Sequence, residues 1–223
     1  RLDGLRFDQV IYSLASPVRR DPKTGVTHRS ALKPLGQPFS GTALNMQTGE
    51  LSTVSVEPAG QEEAEETVRV MGGEDWELWL RALADADVLA RGCVTVAYSY
   101  LGPEHTWPIY RHGTIGKAKE HLERTVHTLN GVLKDLGGSA YVSINKAVVT
   151  RASAVIPVIP LYVSALFKTM KNLGIHEDCV DQALRLYRER FLAQGGIPLD
   201  DEGRIRLDDI IGELRAKSRQ RPP

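Results

Sequence analysis

Two tyrosines and two lysines lie close together near the middle of the chain, and their types and spacing could support acid–base chemistry. Tyr110 precedes Lys119 by nine positions, with Tyr100 and Lys117 nearby. An ammonium group beside a tyrosine stabilises phenolate character, so the phenol can donate a proton or a strong hydrogen bond to an oxygen that gains negative charge. The pattern predicts Tyr110 and Lys119 as catalytic partners, although tyrosines near strand ends and lysines on helix flanks are also common without such a role.

The spacing also restricts the backbone between these residues. In one continuous helix, nine steps would place the side chains of Tyr110 and Lys119 on opposite faces. Gly113 and Gly116 permit a non-helical segment, and Thr114 has a residue type favoured at helix N-caps. We therefore expect Tyr110 on a loop and Lys119 in the first turns of the helix that follows.

Lys119 and Lys117 are expected to lie in different environments on that helix. The apolar residues of the helix fall on one face: Ile115, Ala118, Leu122, Val126, Leu129 and Leu133. Lys119 projects close to this packed face, where an ammonium loses hydration and needs a partner. Lys117 points roughly the opposite way and can be solvated, so the pattern favours Lys119 as the functional lysine.

The surrounding sequence predicts alternating strands and helices. Buried strands are expected at 7–13, 94–100 and 140–149, and a surface hairpin is expected within 39–58. Helical periodicity covers 62–71, 75–89, 115–136, 157–173, 176–193 and 207–218. A left-handed C-cap is expected at Gly72-Gly73. In the second helix, four large residues are expected to be buried: Trp76, Trp79, Leu80 and Leu83.

This order of elements predicts an α/β fold, a Rossmann-like doubly wound parallel sheet with an inserted hairpin and extra C-terminal helices. Three strands make a small sheet for such a fold, and the sequence starts abruptly at the first strand. We therefore expect the N-terminal strands to lie upstream. Ligands of open α/β sheets bind at the carboxyl ends of the strands, which is where the segment from Tyr100 to Lys119 falls.

Composition excludes several classes of function. With 42% hydrophobic and 25% charged residues, and 28 basic against 28 acidic side chains, the chain resembles a globular domain without the net charge that would favour nucleic acid or an anionic membrane. The most apolar stretch, 152–167, is shorter than a bilayer requires. Cys93 and Cys179 lie far apart, which fits a reducing cytoplasm. The six histidines do not have the sequence spacing typical of metal ligands, so we expect them to be solvated and expect no metal site.

Several longer strings resemble one family. They are Tyr12-Ser-Leu-Ala-Ser-Pro17, Val70-Met-Gly-Gly-Glu-Asp-Trp76, Trp107-Pro-Ile-Tyr110, Ile115-Gly-Lys-Ala-Lys119, Asn145-Lys-Ala-Val-Val-Thr150, Ile156-Pro-Val-Ile-Pro-Leu-Tyr162 and Gly203-Arg-Ile-Arg-Leu-Asp208. In this order they resemble the large single-chain trans-2-enoyl-CoA and enoyl-acyl-carrier-protein reductases of the FabV type, which are related to short-chain dehydrogenases. The resemblance runs from about Phe7 to Asp209.

The resemblance implies an oxidoreductase of fatty acid metabolism that uses NADH to reduce the carbon–carbon double bond of a trans-2-enoyl thioester. The family's signature, a tyrosine and a lysine separated by eight residues, falls on Tyr110 and Lys119. By resemblance, Tyr110 protonates or polarises the thioester oxygen, and Lys119 holds the nicotinamide ribose and supports the tyrosine. Tyr100 would contact the substrate carbonyl.

The resemblance also implies two turns that touch the cofactor through backbone groups. Leu14 and Ala15 match the turn after the first strand. Val148, Val149 and Thr150 match a later turn at the nicotinamide end.

The implied organisation is a single domain with defined partners. Residues 1–223 would form the C-terminal catalytic half of a single reductase domain, with 39–58 as an inserted hairpin and 151–193 as helices of an acyl pocket. The expected partner is an enoyl-CoA or an enoyl-acyl carrier protein, and the expected state is a monomer. The family's glycine-rich phosphate loop would lie upstream, so NADPH in place of NADH stays open.

Two other functions remain open. A truncated chain could retain the second half of the fold as a non-catalytic binding or structural module, and the absent phosphate loop favours this alternative. A carbonyl-reducing short-chain dehydrogenase would also use tyrosine and lysine, but its pair lies closer in sequence. Five basic residues in one loop could meet a CoA phosphate or an acidic carrier protein, or could simply be solvated: Arg19, Arg20, Lys23, Arg29 and Lys33.

Overall fold

A computed structural model describes residues 4–14, 16–45, 47–148 and 158–212, and within these ranges eight strands and five α-helices form. The strands are β1 (Phe7–Tyr12), β2 (Val18–Arg20), β3 (Thr27–Arg29), β4 (Phe39–Leu44), β5 (Leu51–Val56), β6 (Leu89–Ser99), β7 (Ser139–Ile144) and β8 (Ile205–Arg206). The helices are α1 (Gln61–Met71), α2 (Glu74–Asp85), α3 (Thr114–Leu133), α4 (Ile159–Asn172) and α5 (Cys179–Arg185). A π-helical turn, Leu186–Phe191, continues α5.

The central sheet has four strands in the order β1-β6-β7-β8, and every neighbouring pair is parallel. Val10 lies opposite Thr95, and Val96 lies opposite Tyr141. Parallel neighbours require crossover connections, which α2, α3 and the segment containing α4 and α5 provide. The predicted α/β fold is therefore confirmed, and β8 adds a strand that the sequence did not predict.

Helices cover both faces of the sheet. On one face, Trp76 and Leu80 of α2 and Leu129 of α3 form a buried cluster with β6 and β7. On the other face, Leu186 of the π-helical turn packs against Val96 and its neighbours. Strands that are covered on both faces are apolar along their whole length, which explains the continuous β-branched runs of the predicted strands.

A buried hydrogen-bond chain fixes α2 on the sheet. Trp76 Nε1 donates to Thr95 Oγ1 at 2.9 Å, and Thr95 Oγ1 donates to the Val10 carbonyl at 2.9 Å. These two hydrogen bonds determine which face of α2 is buried. The expectation that Trp79 is buried was wrong, because Trp79 points away from this contact and is 55% exposed.

Some element boundaries differ from the sequence-based expectation. Helix α2 ends at Asp85, four residues before the predicted end, because Asp87 has a positive φ of 52° and turns the chain directly into β6. The left-handed C-cap expected at Gly72 is absent, since Gly72 is extended with φ −80° and ψ −167°. The predicted helix over 176–193 divides into α5 and the π-helical turn.

Two antiparallel pairs lie outside the central sheet. β4 pairs with β5 from Phe39 opposite Val56 to Leu44 opposite Leu51, at the position of the predicted hairpin. β2 pairs with β3, and together they lie against α1. Among the described residues, no helix is both long enough and apolar enough to cross a membrane.

Candidate active site

The candidate site lies at the carboxyl end of β6, where Tyr100 directly follows the strand and the chain then loops back into α3. A 3-10 turn, Glu104–Thr106, lies within this loop, so Tyr110 is placed outside α3 as the sequence predicted. Helix α3 begins at Thr114 with Gly113 as its N-cap, one residue earlier than expected. The Thr114 hydroxyl instead donates to the Ala31 carbonyl.

Gly116 allows the loop to pack directly on the first turn of α3. A Cβ added at this position would lie 1.7 Å from the Arg111 carbonyl oxygen, a distance that no side chain can tolerate. The absence of a side chain therefore fixes how closely the loop approaches the helix. This approach determines the position of Tyr110 relative to Lys119.

Three predicted residues come together at this point. The rings of Tyr100 and Tyr110 meet edge to face, with centroids 5.3 Å apart. The Lys119 ammonium lies 5.5 Å from the centroid of the Tyr110 ring, within the range of a cation–π contact. The sequence-predicted pair and its neighbouring tyrosine thus form one cluster.

Lys119 is partly buried and has a hydrogen-bond partner, as the helix pattern predicted. Its Nζ donates to Ser99 Oγ at 3.0 Å, and burial lowers its pKa to about 8, an effect that the nearby Glu123 carboxylate opposes. Lys117 is 55% exposed in its side chain and pairs with Glu120. The sequence did not identify Ser99 or Glu123, because their proximity to Lys119 depends on how α3 packs on β6.

Both tyrosines are protonated at neutral pH. Burial raises the pKa of Tyr110 above its ordinary value, and burial followed by the nearby Tyr162 raises that of Tyr100. The buried Tyr100 hydroxyl has no hydrogen-bond partner in the described part of the chain. Buried polar groups are normally paired, so this hydroxyl is available to a ligand oxygen. The cluster can therefore present phenolic donors, backed by an ammonium, to an oxygen that acquires negative charge.

The residues predicted to touch a cofactor lie partly within the described structure. Leu14 follows β1 and is 66% exposed at the carboxyl edge of the sheet. Val148 follows β7 and lines a cavity of about 240 Å³ together with Ser13 and Asn145. The turns after β1 and β7 therefore border the same cavity. Ala15, Val149 and Thr150 lie outside the described residues.

A buried lysine next to this cavity was missed by the sequence reasoning. Lys146 is 1% exposed, and its Nζ donates to the carbonyls of Ala147 at 3.1 Å and Glu177 at 3.0 Å. The Gln182 side chain bonds both the N–H and the carbonyl of Lys146, at 3.0 and 3.3 Å. The available signal was a charged residue within the predicted buried strand 140–149. Lys146 holds the start of the predicted cofactor turn against α5.

An apolar wall borders Tyr100. Helix α4 contributes Ile159, Val163 and Leu166 to a buried cluster, against which Tyr100 and Tyr162 pack. Residues 158–193 supply the described part of the predicted acyl-pocket helices, while 151–157 lie outside the described residues.

Two residues of the predicted basic loop are engaged with carboxylates on neighbouring helices. Arg19 is buried and pairs with Glu74 at 2.6 Å, and Lys33 pairs with Glu63 at 2.6 Å. These contacts attach the loop to α1 and α2, so two of its five cations already have carboxylate partners.

Histidines and acidic residues do not assemble a metal centre in the described residues, where no group of three or more potential ligands comes together. The expectation that the histidines are solvated was wrong for His28. It is 7% exposed and its Nδ1 lies 2.7 Å from Glu66 Oε1.

Comparisons with known proteins agree on one family. Residues 2–192 match the model for the trans-2-enoyl-CoA reductase catalytic region. The chain is 57% identical over 204 residues to an enoyl-acyl-carrier-protein reductase (NADH) of Flavobacterium johnsoniae, covering 92% of this chain and 52% of that protein. It is 58% identical over 207 residues to a trans-2-enoyl-CoA reductase (NADH) of Treponema denticola, with the same coverage of 92% and 52%.

Solved structures give the same result. The crystal structure of Treponema denticola trans-2-enoyl-CoA reductase in complex with NAD superposes with a TM-score of 0.88 at 53% identity, covering 99% of this chain and 56% of that one. The corresponding Clostridium acetobutulicum enzyme with NADH gives a TM-score of 0.89 at 41% identity, covering 98% and 56%. The chain thus spans about half the length of the relatives it matches.

Proposed function

The chain belongs to the trans-2-enoyl-CoA reductase family, and from this premise we propose that it provides the reacting side chains for NADH-dependent reduction of a trans-2-enoyl thioester. The activity is that of an oxidoreductase of fatty acid metabolism acting on a carbon–carbon double bond. The observation that carries the proposal is the meeting of Tyr110, Lys119 and Tyr100 at the carboxyl edge of the parallel sheet.

The described residues fit a dinucleotide at this edge. The exposed Leu14, the cavity bordered by Val148 and the partly buried Lys119 all lie at the carboxyl ends of the strands, where α/β sheets bind nucleotides. Lys119 would hold the nicotinamide ribose, and the turns at 14–15 and 148–150 would contact the cofactor through backbone groups. When bound, NADH supplies the hydride that reaches the carbon β to the thioester carbonyl.

Tyr110 acts on the thioester oxygen. As the double bond is reduced, negative charge develops on that oxygen, and a neutral phenol can donate a hydrogen bond or a proton to it. Burial keeps the Tyr110 phenol protonated. Protonation at the α carbon then completes the saturated acyl thioester.

Lys119 and Tyr100 support this donor. The Lys119 ammonium, held by Ser99 at 3.0 Å, favours negative charge on the neighbouring phenol and substrate oxygen. The unpartnered hydroxyl of Tyr100 gives a second donor for the substrate carbonyl.

The organisation follows from these roles. Residues 1–223 act as the C-terminal catalytic half of a single Rossmann-like reductase domain, with 39–58 as an inserted hairpin. The apolar wall beside Tyr100 supports an acyl pocket formed by 151–193. The substrate is an enoyl-CoA or an enoyl-acyl carrier protein, and the protein acts as a monomer in the cytoplasm. The free thiols of Cys93 and Cys179 are compatible with such a reducing compartment.

The test is NADH oxidation by the full-length protein with a short trans-2-enoyl-CoA, measured for the wild type and Tyr110→Phe. Removing the phenolic hydroxyl should lower kcat by about 10²- to 10⁴-fold. Tyr141→Phe is a matched control, because Tyr141 packs in the cluster on the α5 face of the sheet, and it should keep wild-type turnover. A wild type without turnover, or Tyr110→Phe with undiminished kcat, would contradict the proposal and favour a non-catalytic module.

A further inference from the structure

A small polar cavity of about 130 Å³ lies behind Lys119, between the first turns of α3 and the turn that leads into β8. Lys119 and Glu123 line it from α3, and Arg204 lines it from the opposite side. Glu123 is one helical turn beyond Lys119, so the two side chains lie on the same face of α3. The cavity therefore brings a lysine, a carboxylate and a guanidinium together away from the Tyr110 ring.

The groups that face Lys119 come from four parts of the chain. The hydroxyl-bearing groups are Ser99 at the end of β6 and Tyr100 and Tyr110 on the loop. The charged groups are Arg111 on the loop, Glu120 and Glu123 on α3, and Glu202 and Arg204 before β8. The charge of Lys119 must be considered against all of them.

Most of these charged groups already have a partner other than Lys119. Glu120 pairs with Lys117 at 3.2 Å, and Glu202 pairs with Arg204 at 2.7 Å. Arg111 lies over the Trp107 ring, 4.8 Å from its centroid.

Glu123 is less strongly paired than these carboxylates. Its contact with Arg204 is long, 3.5 Å, and Arg204 also pairs with Asp200 at 2.9 Å. Its side chain is 26% exposed, compared with 51% for Glu120, so its charge is less screened by water. Glu123 is therefore the carboxylate of this cavity whose charge is most available to Lys119.

We propose that Glu123 is a positioning residue that holds Lys119 in its charged form, and that Arg204 limits how much of the Glu123 charge reaches Lys119. The role rests on the proposed reductase function, because it is the charged Lys119 that supports Tyr110. The turn at 200–204 thereby influences the catalytic lysine without touching substrate or cofactor.

The directions of the pKa shifts agree with this geometry. Burial lowers the pKa of Lys119 to about 8, and Glu123 acts in the opposite sense. Burial raises the pKa of Glu123, while Arg204 and, to a smaller extent, Lys119 lower it. Without the Glu123 carboxylate, only the lowering effect of burial would remain, and Lys119 would lose its proton nearer neutral pH.

The test is a direct titration of Lys119 by NMR in the full-length protein, labelled with ¹³C at lysine Cε, with Lys119→Arg used to assign its signal. In Glu123→Gln the pKa of Lys119 should fall by about one pH unit, the size typical of losing a nearby opposite charge. Glu120→Gln removes another carboxylate of α3, one that is paired with Lys117, and it should leave the titration of Lys119 unchanged. Glu123→Asp should restore most of the wild-type value.

A second variant tests the opposite direction. Arg204→Gln frees Glu123 from its cationic partner, so the pKa of Lys119 should rise. An unchanged Lys119 titration in a folded Glu123→Gln protein overturns the proposal, as does an equal shift in Glu120→Gln. If Glu123→Gln does not fold, a fall or no change in Arg204→Gln overturns it.

Enzyme kinetics separate this proposal from the proposed function. If the protein reduces enoyl thioesters, the alkaline limb of the kcat/KM profile should move about one pH unit lower in Glu123→Gln, which is about tenfold less activity on that limb. If the protein has no reductase activity but the NMR titration shifts, the proposed function fails and the Glu123–Lys119 coupling stands.

Discussion

The Tyr100 hydroxyl is buried without a hydrogen-bond partner among the described residues, although the rings of Tyr100 and Tyr110 pack edge to face with centroids 5.3 Å apart. The aromatic contact holds the ring of Tyr100 in place but leaves its donor unused within the described residues. An unpaired buried hydroxyl costs stability in the ligand-free protein. Tyr100 thus has the properties of a residue retained for binding.

Tyr100→Phe should separate stability from binding. Removal of the unpaired hydroxyl should stabilise the ligand-free protein by about 1 kcal/mol, whereas loss of one donor to the thioester carbonyl should raise KM about fivefold or more. Urea unfolding and steady-state kinetics measure the two effects. A destabilised variant with unchanged KM would mean that the hydroxyl has a structural partner instead.

Gly116→Ala should disrupt the junction between the Tyr110 loop and α3. The added Cβ would lie 1.7 Å from the Arg111 carbonyl, a clash with backbone that only a shift of the loop can relieve. We expect a loss of about 1–3 kcal/mol or more in the free energy of unfolding, together with a large loss of kcat.

Gly131→Ala is the matched control on the same helix. Gly131 is exposed, and apart from the backbone of its own helix no atom would lie within 4 Å of an added Cβ, so alanine should stabilise α3 by about 0.5–1 kcal/mol. Equal effects of the two substitutions on the melting temperature would show that the close contact at Gly116 does not contribute to stability.

Thr95→Val should uncouple α2 from the sheet. Valine has nearly the same shape but cannot accept from Trp76 Nε1 or donate to the Val10 carbonyl, so the buried indole N–H would be unpaired and the Val10 carbonyl would lose this donor. The expected loss is about 2–4 kcal/mol in urea unfolding, from about 1–3 kcal/mol for the buried unpaired indole N–H and about 1 kcal/mol for the lost hydrogen bond to Val10. Thr95→Ser keeps the hydroxyl and loses one methyl group, so it should cost only about 1 kcal/mol. A valine variant as stable as the serine variant would contradict the role of this hydrogen-bond chain.

His121 should make stability depend on pH in the acidic range. Its Nδ1 accepts from the Gly73 N–H at 3.0 Å, and burial followed by Arg124 lowers its pKa below the ordinary 6.5. The unfolded chain therefore binds a proton at this residue before the folded protein does. Its contribution to stability is complete above pH 6.5 and declines as the pH falls below that value.

His121→Asn retains an acceptor near Nδ1 but cannot titrate. The variant should lose less stability than the wild type between pH 7 and pH 5 when melting temperatures are compared. His127→Asn, at an exposed position farther along α3, controls for removal of a histidine and should follow the wild-type pH dependence. Parallel curves for His121→Asn and the wild type would exclude His121 as the source.

Local sequence patterns predicted most of the sheet and helices. The apolar runs that became β1, β6 and β7, and the periodicity of α3, are properties of neighbouring residues and can be read without tertiary information. β8 could not be predicted, because it has only two residues and is fixed by pairing with β7 and by ion pairs such as Arg206 with Asp208. Likewise, periodicity alone could not show that Trp76 is buried and Trp79 exposed, because this depends on the hydrogen bond from Trp76 to Thr95 on β6.

The candidate site was predictable to a similar degree. Tyr110 and Lys119 are close in sequence, and the glycines between them indicated the break before α3. Ser99 approaches Lys119 only because α3 packs on β6, and Arg204 reaches Glu123 across 81 residues. The sequence therefore predicts which residues meet at the candidate site, whereas the neighbours of Lys119 depend on long-range packing.

Strand β1 is at one end of the strand order, so one row of its backbone N–H and carbonyl groups lacks a strand partner among the described residues. Apolar side chains at the start of β1 and just before it are exposed, Phe7 by 39% and Leu5 by 69%. An uncovered strand edge of this kind is a template for pairing with a second copy. For anyone handling a preparation limited to these residues, concentration and storage time become experimental variables, and light scattering should accompany every kinetic or spectroscopic measurement.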